Sequence, residues 1–283
     1  MTRTTTLTNL DIVKYANAVA EHEPTFDERK HTAALALPRL GRDSLPMSPF
    51  MLRSALFSAA VSGSRARFAD YVDLPAHPGY RVEFQGEELR QDDRMVLLAL
   101  IKARSTQQTT GTKTHAAPLI TASITFAPRQ FCVENLGWPD SSDSPKKLAA
   151  CLNRLQIARV RISGGKIGTQ LYSFVSDASM PPGAWTVWLS ERLAVMFSSN
   201  LTYLKHSIAA GVGGLDSWLY GYTAADECFA LISREHLRDL CGLTGYSQKE
   251  FNRRLNISLD KLKTQKLIKD FEVTKGKLSI TKK

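Results

Sequence analysis

The stretch SREHLRDLCGLTGYSQKEFNRRLNISLDKLKTQ, residues 233–265, predicts two helices joined by a short turn. Ser233 is placed to cap a helix over residues 234–241, and Gly242 is placed to end it. Ser247 then caps a longer helix that continues to the end of the stretch. The apolar side chains of this second helix recur at helical spacing and predict one inward face, formed by Phe251, Leu255, Leu259 and Leu262.

A β-hairpin is predicted to follow the two helices. Strands over residues 267–273 and 277–281 flank a turn at Lys275 and Gly276, and a short strand over residues 229–232 precedes the first helix. Strand, helix, turn, helix and hairpin in this order form the outline of a winged helix. In that motif the second helix enters a DNA groove and the hairpin, the wing, lies against the DNA backbone.

The same order of signals occurs earlier in the chain, offset by about 105 residues. A strand over residues 120–126 precedes a helix over residues 128–136. A second helix is predicted over residues 145–157, and strands over residues 159–162 and 169–175 follow around a Ser-Gly-Gly turn. We therefore predict an α+β protein with two tandem winged-helix domains.

The chain divides into three predicted segments. Residues 1–50 predict a poorly defined N-terminal extension with one short helix near residues 10–20. The Met-Pro-Pro-Gly run at residues 180–183 predicts a boundary. The first winged-helix domain then spans residues 51–180 and the second, DNA-binding one residues 183–283. Further predicted elements are strands at 54–58, 80–85 and 185–189, helices at 95–101, 190–197, 203–210 and 215–223, and a polar loop at 105–114.

Net charge points to a polyanionic partner, since the chain carries +10 over 283 residues. Residues 144–176 contain six basic residues and no acidic one, and residues 246–283 contain eleven basic and four acidic residues. The rest of the chain therefore has a net charge of −3. The positive excess lies in the two helix-plus-hairpin units, which are the parts of a winged helix that approach DNA phosphates.

Helical geometry predicts which side chains face DNA. Arg and Asn on the outward side of the last long helix can form paired hydrogen bonds with guanine and adenine edges, and a phosphate is favoured at its N-terminus. The predicted DNA-binding residues of the second unit are Gln248, Lys249, Asn252, Arg253, Asn256, Lys263, Lys275 and Lys277. Those of the first unit are Lys146, Lys147, Asn153, Arg154, Arg159, Arg161 and Lys166. The alternative is a solvated basic face that binds nothing in particular.

Sequence patterns typical of catalysis and of cofactor binding are missing. The six histidines include no His-x-His pair, and residues 106–114 lack the first glycine and the lysine of a phosphate loop. Neither G-x-S-x-G nor H-E-x-x-H occurs. Asp92 and Asp93 precede a helix and predict capping rather than metal binding. We therefore expect no enzyme activity, no cofactor and no metal site.

The cysteines and the apolar runs indicate the cellular location that we expect for the protein. Four cysteines stand far apart without a C-x-x-C pair, which predicts buried, reduced thiols and a cytoplasmic protein. No apolar run approaches the roughly 18–20 residues of a membrane span, and the first residues do not resemble a signal peptide. We therefore expect no membrane partner.

Four stretches of the chain resemble the TrfA family of plasmid replication initiators. They are LRSALFS at residues 52–58, FQGEELRQDD at 84–93, ITFAPRQFCVENLGW at 124–138 and LNRLQIA at 152–158. Their order and spacing match, and the similarity extends over residues 52–283, more strongly in the first half. The first fifty residues show no likeness to the family.

The resemblance implies a protein with two winged helices that binds double-stranded DNA at direct repeats (iterons) of a plasmid origin. Such initiators help to open a neighbouring A·T-rich region and recruit host replication proteins, including the helicase and DnaA. Monomers are active, whereas dimers formed through the first winged helix are inactive, so a monomer–dimer equilibrium is expected. By position, the DNA-reading helices of the family fall on residues 146–157 and 249–263 of this chain.

We therefore expect a sequence-specific DNA-binding initiator of plasmid replication. One monomer would place its two recognition helices in successive major grooves, on an asymmetric site of about 20 base pairs. The alternative is a winged-helix transcriptional repressor, which binds a palindromic operator as a symmetric dimer. A third interpretation, a protein-binding module with a solvated basic face, predicts only weak DNA affinity that is blind to sequence.

Overall fold

The computed structural model describes residues 40–283 except residues 42, 78, 80, 111–122, 164–168, 191–192, 194–200, 226–231, 275 and 282–283; the side chains of residues 106–110 are also outside this description. The first half contains β1 (Ser44–Met47), α1 (Pro49–Leu52), β2 (Arg67–Leu74), β3 (Arg81–Glu87), α2 (Gln91–Thr110), β4 (Ser123–Phe126), α3 (Pro128–Leu136), α4 (Asp143–Ile157), β5 (Arg159–Ser163), β6 (Gln170–Tyr172), β7 (Val175–Ser179) and β8 (Trp185–Leu189). The second half contains β9 (Thr202–Lys205), α5 (His206–Ala209), α6 (Gly214–Ala225), β10 (Ile232–Ser233), α7 (Arg234–Leu240), α8 (Gln248–Thr264), β11 (Asp270–Thr274) and β12 (Lys277–Thr281).

The second half forms the predicted winged helix. Helices α7 and α8 follow strand β10, and the hairpin β11–β12 closes the motif. The three strands form one antiparallel sheet in the order β10-β12-β11, in which Lys277 pairs with both Ser233 and Thr274. The predicted inward residues Phe251, Leu255, Leu259 and Leu262 are fully buried. Each such side chain contributes about 1.5–3 kcal/mol by leaving water.

The first half contains a sheet of the same topology. Strand β4 pairs with β8 and β8 pairs with β7, all antiparallel, so the order β4-β8-β7 reproduces the order β10-β12-β11. Helices α3 and α4 lie between β4 and the hairpin, as α7 and α8 do in the second half. The fold is therefore α+β and consists of two tandem winged helices, as predicted.

The wing of the first winged helix is not where the sequence placed it. Strands β5 and β6, the predicted wing, belong to a separate four-stranded sheet in the order β2-β3-β5-β6. The hairpin equivalent to β11–β12 is β7–β8, with its tip at residues 180–184. Alternating apolar residues identify a strand but not its partner, and the pairing of β5 with β3 joins residues far apart in sequence.

The predicted domain boundary falls on this tip. Residues 180–183 connect two paired strands of one sheet, so Pro-Pro-Gly forms a hairpin turn. Gly183 has a φ of 96°, a left-handed conformation that glycine adopts without strain. The division at residues 180–183 into two separate domains stays a prediction. Residues 1–39 of the predicted extension lie outside the described residues, whereas β1, near its end, pairs with β9.

Three local predictions differ from the structure. Residues 54–58 form no strand but pass through the core, with isolated bridges from Ser54 to Ala76 and from Ser58 to Arg90. Helix α2 continues through residues 105–110, predicted as loop, because no Gly or Pro interrupts the helix before Gly111. Residues 202–205 form strand β9 and only residues 206–209 are helical, since pairing with β1 overrides helical propensity.

The strand predicted over residues 169–175 is divided between β6 and the start of β7, which belong to different sheets, and the helix predicted over residues 95–101 already begins at Gln91. Most other elements agree with the prediction or fall outside the description. Helices α3, α4, α6, α7 and α8 and strands β3 and β8 lie within a few residues of their predicted positions. Most of the predicted helix at residues 190–197, the strand at 229–232 and the wing turn at 163–165 lie outside the described residues. Cys132, Cys151 and Cys241 are buried free thiols as predicted, and Cys228 lies outside the description.

The two winged helices contact each other through buried groups. Helix α2 packs against α6, where the Arg94 guanidinium donates hydrogen bonds to the carbonyl and hydroxyl oxygens of Ser217, both at 2.8 Å. The backbone N–H of Ala59 donates to the carbonyl of Cys241 at 2.8 Å. Together with the β1–β9 ladder, these contacts set the orientation of one winged helix relative to the other. Within the described part of the chain, none of the helices has the length and apolar character of a membrane span.

Candidate nucleic-acid interface

The helix-turn-helix of the second winged helix is built from local signals. The Ser233 hydroxyl accepts a hydrogen bond from the backbone N–H of His236 at 3.1 Å, and the Ser247 hydroxyl accepts one from that of Glu250 at 3.3 Å. Gly242 ends α7 with a φ of 71°. A Cβ atom at Gly242 would lie 2.9 Å from the Ser58 hydroxyl, so contact with the first half also requires glycine there.

The outward face of α8 presents the residues that the sequence placed there. Lys249, Arg253 and Asn256 are exposed, and 60% of the Arg253 side chain is accessible. Asn252 is half-buried, and its Oδ1 accepts a hydrogen bond from Gln248 Nε2 at 2.9 Å. This pair orients two side chains at the start of the helix. The outward orientation is as predicted, whereas contact of these residues with DNA stays a prediction.

Ion pairs join the cations of α8 to acidic residues nearby. Glu250 binds Arg253 and Arg254, and the Arg254 guanidinium also lies 4.6 Å from the ring centre of Tyr246. Hydrogen bonds from the two arginines lower the pKa of the Glu250 carboxyl to about 2, so it is ionised at neutral pH. Lys263 Nζ lies 2.8 Å from Asp270 Oδ1, which links the helix to strand β11 of the wing.

The second wing combines both signs of charge. Lys277 is exposed at the start of β12, whereas Glu272 is exposed on β11. Lys275, the predicted cation of the wing turn, lies outside the described residues. Strand β12 pairs with β10, directly before α7, so the wing and the helix-turn-helix form one connected surface.

The first winged helix exposes fewer of its predicted residues. Asn153 is exposed on α4, and Lys146 is 76% exposed and pairs with Asp143 at 2.9 Å. Lys147 is half-exposed and lies over the ring of Trp138, 4.2 Å from its centre. Of the DNA-binding residues predicted on α4, these three side chains face outward.

Arg154 does not project outward, in contrast to the prediction. Its side chain is 11% exposed, and its Nε and Nη2 lie 2.9 Å from Asp93 Oδ1 at the start of α2. Burial of the guanidinium opposes its charge, but the Asp93 carboxylate outweighs this effect and raises the pKa of Arg154. The sequence of α4 places Arg154 on the polar side of the helix, and only the packing of α2 against α4 supplies its acidic partner.

The three remaining basic residues of the first unit are not on the wing. Arg159 is exposed and donates to the carbonyl of Gln156 at 2.9 Å. Arg161 is 35% exposed, lies 3.4 Å from Glu83 Oε1, and stacks over the Tyr71 ring. Both belong to β5 in the four-stranded sheet, and Lys166 lies outside the described residues. Counting charges along the sequence therefore overstates the free positive charge of this half, because its acidic partners come from distant segments.

The FQGEELRQDD stretch builds a cluster that holds the first winged helix together. Asp92 and Asp93 lie within the first turn of α2 rather than before it, and the Asp93 carboxylate caps the helix by accepting from the backbone N–H of Arg90 at 2.8 Å. It also binds Arg65 at 2.8 Å, and Asp92 binds the same guanidinium at 3.1 Å. The acids are therefore paired with arginines from two other segments. This connection through Arg65 could not be predicted, because nothing in the local sequence marks that residue.

The same cluster contains Asp92, Asp93 and Cys151, whose possible ligand atoms lie within 4.8 Å of one another. Burial opposes ionisation of Asp92, but the charges of Arg65, Lys147 and Arg154, together with the hydrogen bond from Arg65, outweigh burial and lower the pKa of Asp92. Burial and the neighbouring Asp92 charge raise the pKa of Asp93. Burial likewise raises the pKa of the Cys151 thiol. Arginine counter-charges and a protonated thiol fit a structural ion-pair cluster better than a metal site.

Comparison with solved structures identifies what this arrangement is similar to. The chain matches a crystal structure of domains 2 and 3 of RctB, as the selenomethionine derivative, with a TM-score of 0.54 and 12% sequence identity; the match covers 76% of this chain and 86% of that one. The likeness is one of fold. A second structure of RctB domains 2–3 matches with a TM-score of 0.49 and 11% identity, over 74% of this chain and 81% of that one. No family model and no curated protein sequence matches the chain.

Proposed function

We propose that the chain is a sequence-specific DNA-binding initiator of plasmid replication, of the kind that the TrfA family represents. It binds direct repeats at a plasmid origin, promotes opening of the neighbouring duplex and recruits host replication proteins such as the helicase and DnaA. It acts in the cytoplasm and has no catalytic activity of its own. Opening and recruitment rest on the resemblance to the TrfA family alone.

The observation that carries the proposal is the tandem repeat of the winged helix. Two sheets of one topology, each with its helix-turn-helix, belong to one chain and contact each other through buried groups. RctB, whose domains 2 and 3 share this fold, is a replication initiator, which supports an initiator role in general terms. A single winged helix would not distinguish between the many classes of DNA-binding protein.

The second winged helix supplies most of the proposed contacts. Helix α8 enters a major groove, where Arg253 and Asn256 reach base edges and Asn252 is oriented by Gln248. Lys249 and Lys277 are exposed on α8 and β12 and bind phosphates. Lys263 can join them if it leaves Asp270.

The first winged helix contributes a smaller set of contacts. Lys146, Lys147 and Asn153 lie along the exposed side of α4 and are proposed to contact a second major groove. Its wing, β7–β8, has no Lys or Arg, and its only charged residue is Asp177. We therefore expect the second winged helix to dominate the salt dependence of binding.

Selection of bound duplexes from a random pool at about 200 mM salt tests the proposal, because non-specific attraction is weak there. The expected result is one asymmetric motif of about 20 base pairs, bound by a monomer. Replacing Arg253 by Ala should then relax preference at one position by about tenfold, while Asp260→Asn on the same helix serves as a control. A palindrome bound by a dimer would instead support a repressor, and a pool without enrichment contradicts both functions.

A further inference from the structure

Glu250 lies on the proposed reading helix and holds two of its arginines. Its carboxylate accepts hydrogen bonds from Nε and Nη2 of Arg253 at 2.9 and 2.8 Å. It accepts a third, at 2.6 Å, from Nε of Arg254. The three residues are three and four positions apart, so the pairs form along one side of α8.

The Glu250 carboxylate does not take part in capping the N-terminus of α8. Ser247 and Glu250 form the S-x-x-E pattern of a capping box, in which the glutamate normally reaches back to the backbone N–H of the serine. The serine half is present, since its hydroxyl accepts from the N–H of Glu250. The carboxylate points forward instead, to Arg253 and Arg254. Glu250 therefore partly neutralises the arginines of α8 and does not cap the N-terminus of the helix.

This arrangement reduces the attraction of α8 for arbitrary DNA. A phosphate that approaches Arg253 must displace the Glu250 carboxylate or lie close to it, and like charges repel. Two arginines and one glutamate together present one net positive charge instead of two. At a cognate site, hydrogen bonds to base edges replace the ion pairs, and a cytosine amino group can donate to the carboxylate.

We infer that Glu250 is a specificity-determining residue, which withholds Arg253 and Arg254 from phosphates of non-cognate DNA and yields them at the cognate sequence. The inference rests on the proposed function. This role differs from direct recognition of a base by Glu250, because Glu250 mainly lowers the affinity for DNA of non-cognate sequence.

The variant Glu250→Gln tests this, since glutamine keeps the size of the side chain and its capping capacity but loses the charge. Asp260→Asn is the matched control: Asp260 is exposed on the same helix, and its loss changes the net charge equally without releasing an arginine. Affinities for the selected duplex and for a scrambled duplex of equal length are measured by fluorescence anisotropy from 50 to 300 mM salt.

Glu250→Gln is expected to bind the scrambled duplex roughly tenfold more tightly at 100 mM salt, with a salt slope steeper by about one ion. Affinity for the selected duplex should rise less, so the specificity ratio falls. Circular dichroism before titration establishes that both variants are folded.

Three results would overturn the inference. Equal behaviour of Glu250→Gln and Asp260→Asn on scrambled DNA shows that only net charge matters. A loss confined to the selected duplex assigns Glu250 to direct base reading. If the wild-type chain enriches no sequence at all, the proposed function fails together with the discriminating role, whereas the first two results leave the proposed function intact.

Discussion

Arg94 is a buried cation with few partners, and replacing it by methionine should stabilise the protein. Its side chain is 1% exposed and donates to the two oxygens of Ser217, while its Nε has no hydrogen-bond partner among the described residues. Burial lowers its pKa from 12.5 to about 9. This shift corresponds to about 5 kcal/mol of penalty for the charged form in the folded protein.

Several contributions decide the result of Arg94→Met. The two hydrogen bonds to Ser217 contribute about 1.5–3 kcal/mol each. Their loss costs less than this sum, because Ser217 lies inside α6 and its carbonyl oxygen still accepts a hydrogen bond within the helix when Arg94 is replaced. The methionine buries apolar surface worth about 1.5–3 kcal/mol and removes the buried charge. We therefore expect a net gain of about 1–4 kcal/mol in the free energy of unfolding, as for other buried charges replaced by apolar side chains of similar volume.

Urea denaturation at pH 7, followed by far-UV circular dichroism, measures this difference. Arg94→Ala is the control for packing, and it should be about 2–5 kcal/mol less stable than Arg94→Met because it leaves a cavity. A decrease of more than about 1 kcal/mol for Arg94→Met would refute the reasoning, since it would mean that the charge of Arg94 is well compensated in the core.

Three further results are expected. Gly242→Ala should lower the free energy of unfolding by about 1–3 kcal/mol, because alanine is strained at a φ of 71° and its Cβ would meet the Ser58 hydroxyl; equal urea midpoints would contradict this. Inserting five base pairs between the halves of the selected duplex should weaken binding by about a hundredfold, since the two winged helices are held in one orientation; gel-shift titration shows whether the spacing is instead tolerated. At pH 8 iodoacetamide should modify at most one of the four cysteines of the native protein. Burial raises the pKa of Cys132 to about 11 and of Cys241 to about 12, and it also raises the pKa of Cys151, so these thiols stay protonated. Labelling of two or more thiols, detected by mass spectrometry, would contradict this prediction.

Prediction from the sequence succeeded where the signals were local. The helix over residues 128–136 and its end at Gly137 agree with the structure to the residue. Ser233 and Ser247 cap their helices as predicted, because capping depends on groups only three residues apart. The apolar face of α8 is buried as its periodicity required, and Lys249, Arg253 and Asn256 are exposed for the same reason.

Prediction failed where partners are distant in sequence. The predicted pairing of β5 with β6 is present, but these strands belong to the sheet of β2 and β3, whereas the sheet that includes β4 takes its hairpin from β7–β8. A turn signal indicates that the chain reverses and that its flanking strands pair, but it does not indicate which sheet the hairpin joins.

The local sequence alone determined helices α3, α4, α6, α7 and α8, the serine caps of α7 and α8 and the outward face of α8, since these depend on neighbours within about one or two helical turns. The order of the strands, the inward position of Arg154 beside Asp93 and the contact of Arg94 with Ser217 were decided only by the tertiary structure. The physical reason is that charge neutralisation and strand pairing depend on distance in space, and residues 93 and 154 or 94 and 217 become neighbours only when the helices that bear them pack together.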